Sequence, residues 1–266
     1  KYEFDSVIHF AAYKAVGESV AEPIKYYRNN LDSLVNLIEL MTLKAKGANV
    51  VFSSSATVYG QPADDELPIK ESTPLQPATS PYGRTKQIAE DILQDCVRAY
   101  ANFNATALRY FNPIGAHPSA HIGELPNGVP NNLVPFITQT AAGIRECLSV
   151  FGNDYNTPDG SCIRDYIYVV DLAKAHVKAV DKMLKEGIRW NVFNLGTGKG
   201  LSVLELVNAF IKATGVNLNY RIAERRPGDV EQCWANPAKA NAELGWSADT
   251  PIEEVLLSAW KWQQRL

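Results

Sequence analysis

The 266-residue chain is short of sulfur and of histidine, with four cysteines, two methionines and four histidines. Cys96, Cys147, Cys162 and Cys233 fit neither a zinc spacing nor a disulfide framework, which leaves free thiols in a reducing compartment. His9, His117, His121 and His176 are scattered. His117 and His121 have helix-like spacing, but Pro118 stands between them, so no metal site is expected. No apolar run approaches the ~20 residues that a membrane-spanning helix needs. No basic block marks a nucleic-acid binder, and the formal net charge is −3. Neither membrane nor nucleic acid is therefore expected as a partner, and the expected location is cytoplasmic. No signal-peptide pattern, internal repeat or low-complexity tract is visible.

What is present is a regular alternation. SVIHFAA (Ser6–Ala12), NVVFSSS (Asn49–Ser55) and ATALRYF (Ala105–Phe111) are short apolar runs, the pattern of strands buried on both faces. Helical spacing fills the gaps, over Ile24–Leu43 and from Pro81 through Ile88, Ile92, Leu93 and Val97. Pro81 lies near the helix start, where its missing N–H costs nothing. Strands alternating with helices predict a parallel sheet with crossover connections. After Phe111 the texture changes to a long aperiodic loop, NPIGAHPSAHIGELPNGVPNN. Helices follow near Leu133–Ile144, Val170–Lys185 and Ser202–Thr214, with short strands among them and a final Pro-started helix, PIEEVLLSAWKWQQ.

Two motifs invite chemistry. NLGTGKGLS (Asn194–Ser202) is a glycine cluster between a strand and a helix, but it fits neither dinucleotide nor P-loop spacing and reads as a plain tight turn. SPYGRTK (Ser80–Lys86) places Tyr82 four residues before Lys86, on one helix face. A free phenol, with a pKa of about 10, is too weakly acidic to act as a base near neutrality. A neighbouring cation lowers that value and makes tyrosine a usable general acid and base. The same pair also arises by chance in many chains. Its position is informative, because open parallel sheets bind ligands beyond the carboxyl ends of their strands. Ser53–Ser55, Tyr110–Asn112 and the HFAA–Lys14 segment all stand at such ends. A serine run there can be a simple turn, although Ser55 can also bond a substrate hydroxyl. RRPGD (Arg225–Asp229), taken alone, reads as a solvated charged turn.

HFAAYKAVGES, FSSSATVYG, SPYGRTK, RYFNPIGAHPS, PNNL, FGNDY, RDYIYVVDLA and RRPGD occur in that order. Together they resemble the UDP-glucose 4-epimerase family of the extended short-chain dehydrogenase/reductases, over essentially the whole chain. The resemblance implies an α/β fold: a Rossmann-like doubly wound parallel sheet, lacking its amino-terminal strands, with a smaller mixed α/β substrate-binding domain. Residues 1–111 would be the carboxyl part of the NAD-binding domain. Residues 112–266 would mainly bind the UDP-sugar, with a segment near 146–195 returning to the sheet.

The implied activity is NAD-dependent interconversion of UDP-galactose and UDP-glucose through a 4-keto sugar. Tyr82 would take the 4-hydroxyl proton, Lys86 would bond the nicotinamide ribose and lower the tyrosine pKa, and Ser55 would hold the hydroxyl. Phe10, Ala11, Lys14, Asn29, Ser53 and Tyr110 fall on cofactor positions of the family. Arg164 and Arg226 match residues that hold the diphosphate, and Asp229 matches a ribose contact. Ala56, Thr57, Tyr110, Phe111, Asn112, Asn131, Asn132 and Leu133 fall on further substrate positions, as do Ser149, Val150, Phe151 and Cys233. Homodimerisation through the helices at Ile24–Leu43 and Pro81–Val97 is implied by the same analogy.

Three departures stand out. The family's glycine-rich dinucleotide turn and acidic ribose contact are not in this sequence. About two βαβ units, roughly 60–75 residues at ~30 each, would precede Lys1 and complete the NAD site. Tyr168 replaces a histidine common in the family, with little expected effect on chemistry. Cys233 stands where some members carry tyrosine, and a small residue there is expected to admit an N-acetyl group, extending activity to UDP-GlcNAc and UDP-GalNAc. Two rival readings are a sugar-nucleotide 4,6-dehydratase and a non-catalytic nucleotide-binding module. Related dehydratases carry Asp-Glu before VYG, where this chain has Ala56-Thr57. Keeping Ser55, Tyr82 and Lys86 together argues against the second.

Overall fold

A computed structural model of the chain describes residues 4–44, 48–226 and 229–266. Lys1 and positions 227 and 228 of RRPGD lie outside the described residues. In chain order the elements are β1 (Val7–His9), α1 (Val16–Ala21), α2 (Pro23–Tyr27), α3 (Ser33–Lys44), β2 (Ala48–Ser53), α4 (Pro81–Ala99), β3 (Phe103–Tyr110) and β4 (Asn112–Ile114). They continue with α5 (Leu133–Ala141), β5 (Leu148–Phe151), β6 (Ile163–Arg164), β7 (Tyr166–Tyr168), α6 (Val169–Glu186), β8 (Trp190–Leu195) and β9 (Leu201–Ser202). The last are α7 (Val203–Thr214), β10 (Tyr220–Ala223), β11 (Gln232–Cys233), α8 (Ala238–Leu244) and α9 (Ile252–Gln263). A π-turn over Arg28–Asp32 joins α2 to α3 inside what sequence spacing reads as one helix.

The chain forms two compact units. Unit 1 comprises residues 4–44 and 48–110 with 174–195 and 236–246. Its sheet runs β1-β2-β3-β8, every pair parallel. This is the parallel sheet expected from the apolar runs, in the Rossmann-like form that the family resemblance implies. β2 is buried at every position but Asn49, as a strand covered on both faces must be. Val50, Phe52, Ala105 and Ala107 pack with Leu34 and Ile38 of α3 and Ala89, Leu93 and Val97 of α4. Each such side chain, removed from water, contributes about 1.5–3 kcal/mol to holding the helices on the sheet. α4 starts where the sequence says it should. Ser80 Oγ accepts from the Gly83 N–H at 3.1 Å, and Pro81 occupies the first turn.

Unit 2 comprises residues 111–173, 196–226 with 229–235, and 247–266. It is mixed α/β, with short pairs β10-β5 and β4-β7 and a three-stranded β11-β6-β9. Its core draws Val134 and Ile137 from α5, Leu206, Val207 and Phe210 from α7, and Val255, Leu256 and Ala259 from α9. A reciprocal capping box between Ser202 and Glu205 opens α7, and Gly215 closes it in the left-handed conformation. Among the described residues no helix is long and apolar enough to cross a membrane.

Candidate active site

The carboxyl ends of β1, β2 and β3 gather most of the residues singled out in the amino half. Tyr82 and Lys86, one turn apart on α4, are both buried, at 7% and 4% exposure. Ser55 lies beside the Tyr82 phenol, close enough for its side chain to favour the ionised form. It also accepts from the Thr57 N–H at 3.2 Å, capping the short turn Ala56–Tyr59. Lys86 Nζ donates to the Ser53 carbonyl at 2.7 Å and lies 4.7 Å from the Phe52 ring centre and 5.9 Å from that of Tyr82. Ser53, Ser55, Tyr82 and Lys86 therefore form one cluster.

The electrostatics differ from the expectation on one point. Burial pushes the Tyr82 phenol up from its ordinary value, and the group that opposes this is Ser55. Lys86 is turned onto the Ser53 carbonyl, and burial holds its amine down to about 8, with Glu90 pulling the other way. In the chain by itself, desolvation of the phenol outweighs any help from the ammonium.

Around this cluster, Ser53 Oγ and His176 Nε2 lie 3.0 Å apart, and the Ser53 side chain sits near the Tyr110 hydroxyl. Phe10, 57% exposed, stacks on the His176 ring at 4.6 Å between centres. Ala11, Lys14 and Asn29 are exposed beside it in the sequence segments that follow β1. Buried Asn30 takes the Tyr13 N–H on its Oδ1 and donates to the Tyr13 carbonyl and to Thr85 Oγ1, which fixes that segment against α4. His9 Nε2 and Thr57 Oγ1 are buried without a hydrogen-bond partner.

The residues expected to bind the sugar nucleotide fall in unit 2, except Ser55, Ala56, Thr57 and Tyr110. Arg226 donates to Asp229 through Nη2 at 2.7 Å and Nε at 3.2 Å, and Arg164 Nη2 lies 3.9 Å from the same carboxylate. The Arg226 guanidinium also covers the Phe151 ring at 5.5 Å. Cys233 pairs in register with Arg164 across β11 and β6. Arg164, Arg226, Asp229, Phe151 and Cys233 are thus one neighbourhood, whereas Arg225 turns instead to Asp154 and stacks on Tyr155 at 4.0 Å. Ser149 is partly exposed, while Val150 points into the unit 2 core. Phe111 is buried, and Asn112 and Asn131 are exposed. Asn132 and Leu133 stand at the start of α5, with Asn132 donating to Glu124 at 2.6 Å.

The glycine turn Gly196–Gly200 is a plain turn with its own internal anion. The buried Asp165 carboxylate accepts from the Thr197 N–H and Oγ1–H, both at 2.8 Å, and from the Gly198 and Ala235 N–H groups. A Cβ at Gly196 would run into that carboxylate. Tyr168 donates to the Ala116 carbonyl at 2.8 Å and its ring packs on Gly115, a structural use of the position. His117 bonds Ser119, His121 lies 3.3 Å from Arg265, and none of the described cysteines is paired with another. No group of three or more potential metal ligands occurs among the described residues. Four buried polar residues at these clusters were given no role by the sequence: Glu90, Arg109, Asp165 and His176. The visible signal was charge inside apolar runs, because a buried charge demands a partner.

A parallel sheet with a serine, a tyrosine and a lysine clustered at its carboxyl edge defines a class, the extended short-chain dehydrogenase/reductases. Residues 1–258 match the family model described as GDP-mannose 4,6 dehydratase. The UDP-glucose 4-epimerase of Bacillus subtilis is 55% identical over 98% of this chain and 76% of its own length. The crystal structure of UDP-glucose 4-epimerase from Bifidobacterium longum, in complex with NAD+ and UDP, superimposes with a TM-score of 0.93 at 49% identity, over 99% of this chain and 77% of that one. The Stenotrophomonas maltophilia enzyme, with bound NAD and formylated UDP-arabinopyranose, gives 0.94 at 45% identity, over 98% and 76%. The chain belongs to the UDP-glucose 4-epimerase family and spans about three quarters of the length of these relatives.

Proposed function

We propose that the chain catalyses 4-epimerisation between UDP-galactose and UDP-glucose with NAD as cofactor. The observation that carries this is the Ser55–Tyr82–Lys86 cluster at the carboxyl end of β2. The residues present suit the nicotinamide end of a dinucleotide. Phe10 offers an exposed apolar face, Lys86 supplies a buried amine, and the orphaned His9 Nε2 awaits a polar partner. Phe10, Ala11, Lys14, Asn29, Ser53, Tyr82, Lys86 and Tyr110 would hold it. When bound, NAD supplies hydride acceptance and return at the sugar C4.

The chain's own part is proton placement. Ser55 bonds the 4-hydroxyl, and Tyr82 takes its proton and returns it after the 4-keto sugar has turned its other face. Lys86 would bond the cofactor ribose and supply the positive charge that a phenolate needs. Arg164 and Arg226 hold the diphosphate, for which paired guanidinium donors are suited, and Asp229 takes the ribose. Ala56, Thr57, Phe111, Asn112, Asn131, Asn132, Leu133, Ser149, Val150 and Phe151 complete the substrate set.

The family model carries a dehydratase's description, yet Ala56 and Thr57 bring no carboxyl group for eliminating water. Incubation of the intact enzyme, carrying the amino-terminal βαβ units that the resemblance implies for a complete NAD site, with UDP-galactose and NAD+ is expected to yield UDP-glucose without net reduced cofactor; this chain alone is not expected to hold NAD tightly. A 4-keto-6-deoxy sugar as product would overturn the reading. Cys233, whose thiol desolvation pushes up to about 11, is a compact neutral group beside Arg164. Activity on UDP-GlcNAc follows as part of the proposal. Cys233→Tyr is expected to abolish it while sparing UDP-galactose, and survival of both activities would refute the role given to Cys233.

Homodimerisation belongs to the same proposal. Val16, Val20, Ile24, Val35 and Leu40 are 45–64% exposed on α1–α3, an apolar face of the kind that a second copy covers. The four unpaired cysteines suit a cytoplasmic location.

A further inference from the structure

One buried carboxylate outside the expected site joins α4 to the end of β2 and to β3. Glu90 is 1% exposed. Its Oε1 accepts from Ser54 Oγ at 2.5 Å and from Arg109 Nε at 3.0 Å. Its Oε2 accepts from Arg109 Nη2 at 2.5 Å and Nε at 3.2 Å. Arg109, 5% exposed on β3, sends Nη1 to the Tyr59 hydroxyl at 3.0 Å, and that hydroxyl donates to Asn194 Oδ1 at 2.6 Å. All three guanidinium nitrogens of Arg109 and both carboxylate oxygens of Glu90 have a partner.

Burying an ion pair is rarely the most stable choice, since well-packed apolar residues of similar volume often serve as well. What the pair adds here is geometry. Ser54 is the middle of the serine run. On one side of it, the Ser53 carbonyl takes Lys86 Nζ; on the other, Ser55 meets Tyr82. Glu90 lies one turn beyond Lys86 and two turns beyond Tyr82, on the same face of α4. A single carboxylate thus ties the helix bearing the tyrosine and lysine to the strand end bearing the serines, and Arg109 ties both to β3.

We propose that Glu90, held by Arg109, is a positioning residue for proton transfer: it sets the spacing between Ser55 and Tyr82 and keeps a negative charge one helical turn from Lys86. This rests on the reading of Tyr82 as the proton carrier. The groups facing Lys86 are Glu90 and Tyr82 from its own helix, Phe52 and the Ser53 carbonyl from β2, and His9 from β1. Of these, Glu90 is the one that favours the ammonium electrostatically.

The test compares Ser54→Ala and Glu90→Gln with wild type in the intact enzyme, carrying the amino-terminal βαβ units of the NAD site. Turnover of UDP-galactose is measured at saturating NAD+, and Lys86 is titrated by NMR in isotopically labelled lysine, assigned through Lys86→Met. Ser54→Ala removes one bond and leaves the ion pair intact. It is expected to lower kcat about three- to tenfold, with KM and the thermal midpoint near wild type. Glu90→Gln is expected to move the Lys86 midpoint down by about one pH unit or more. An unmoved midpoint, or a kcat that falls only in step with thermal stability, would overturn the positioning role. Should Glu90→Gln fail to fold, kcat and the Lys86 midpoint in Ser54→Ala decide it, and wild-type values for both would count against it. The midpoint is read without turnover, so a wild-type intact enzyme that leaves UDP-galactose unchanged overturns the functional reading instead.

Discussion

The polar clusters of unit 1 and unit 2 solve the problem of holding charge in opposite ways. In unit 1, Glu90 and Arg109 are closed off from water and saturated with partners, and the adjoining Tyr82, Lys86 and Ser55 are buried as well. In unit 2, Arg226 is 57% exposed, and its bonds to Asp229 are pairings that a phosphate can replace. The difference matches the two tasks proposed for these clusters. Moving a proton requires donors and acceptors fixed to within a fraction of an ångström. Capturing a charged ligand requires cations that are accessible and paired only until it arrives.

Tyr82→Phe breaks the first half of this contrast most severely. It removes the hydroxyl and is expected to lower kcat about 10²–10⁴-fold, with UDP affinity near wild type by calorimetry. Arg226→Ala probes the other half. Loss of a charge-assisted contact to phosphate is expected to weaken UDP binding by about 1.5–3 kcal/mol while changing kcat little. A large kcat effect with unchanged affinity would reverse the assignment.

Gly196→Ala acts on scaffold alone. Its methyl group would meet the Asp165 carboxylate, so a stability loss of about 1–3 kcal/mol is expected in denaturant unfolding. The smallest effect is a pH dependence. Lys86 titrates near 8 in the folded chain and at about 10.4 when unfolded. Below pH 8 both states hold the proton and the cost of burying it is complete. Between those values the folded state gives the proton up first, so this group makes the chain more stable as pH rises, by at most about 1.4 kcal/mol per unit. Unfolding of wild type and Lys86→Met, compared at pH 8 and 9.5, isolates the contribution. A difference that does not change with pH would place the lysine in a solvated setting.

How much of this was legible without coordinates follows the range of the interactions. Strands β2 and β3 and helix α4 announce themselves through local apolar spacing and through Ser80-Pro81 at a helix start. The Tyr82/Lys86 pair is local too, set by four residues on one helix. Glu90 shares that helix face, but its meaning depends on Arg109, 19 residues away on the next strand, and on Ser54, 36 residues before it. No periodicity encodes those contacts. The glycine turn was read correctly as plain, yet the reason, the Asp165 carboxylate filling it from 32 residues upstream, needed tertiary structure. The π-turn over Arg28–Asp32 left no signal, because its residues keep helical spacing on either side. The excursion of residues 236–246 into unit 1 was equally silent, since a short helix looks the same whichever core it joins.

The decisive measurement follows a label. UDP-galactose carrying deuterium at the sugar C4 is incubated with the intact enzyme and NAD+, and the product is analysed by mass spectrometry and NMR. The proton chemistry assigned to Tyr82 touches oxygen alone, so UDP-glucose should form with deuterium still on C4. Loss of the label to water, or its appearance in a 4-keto-6-deoxy product, would contradict that assignment.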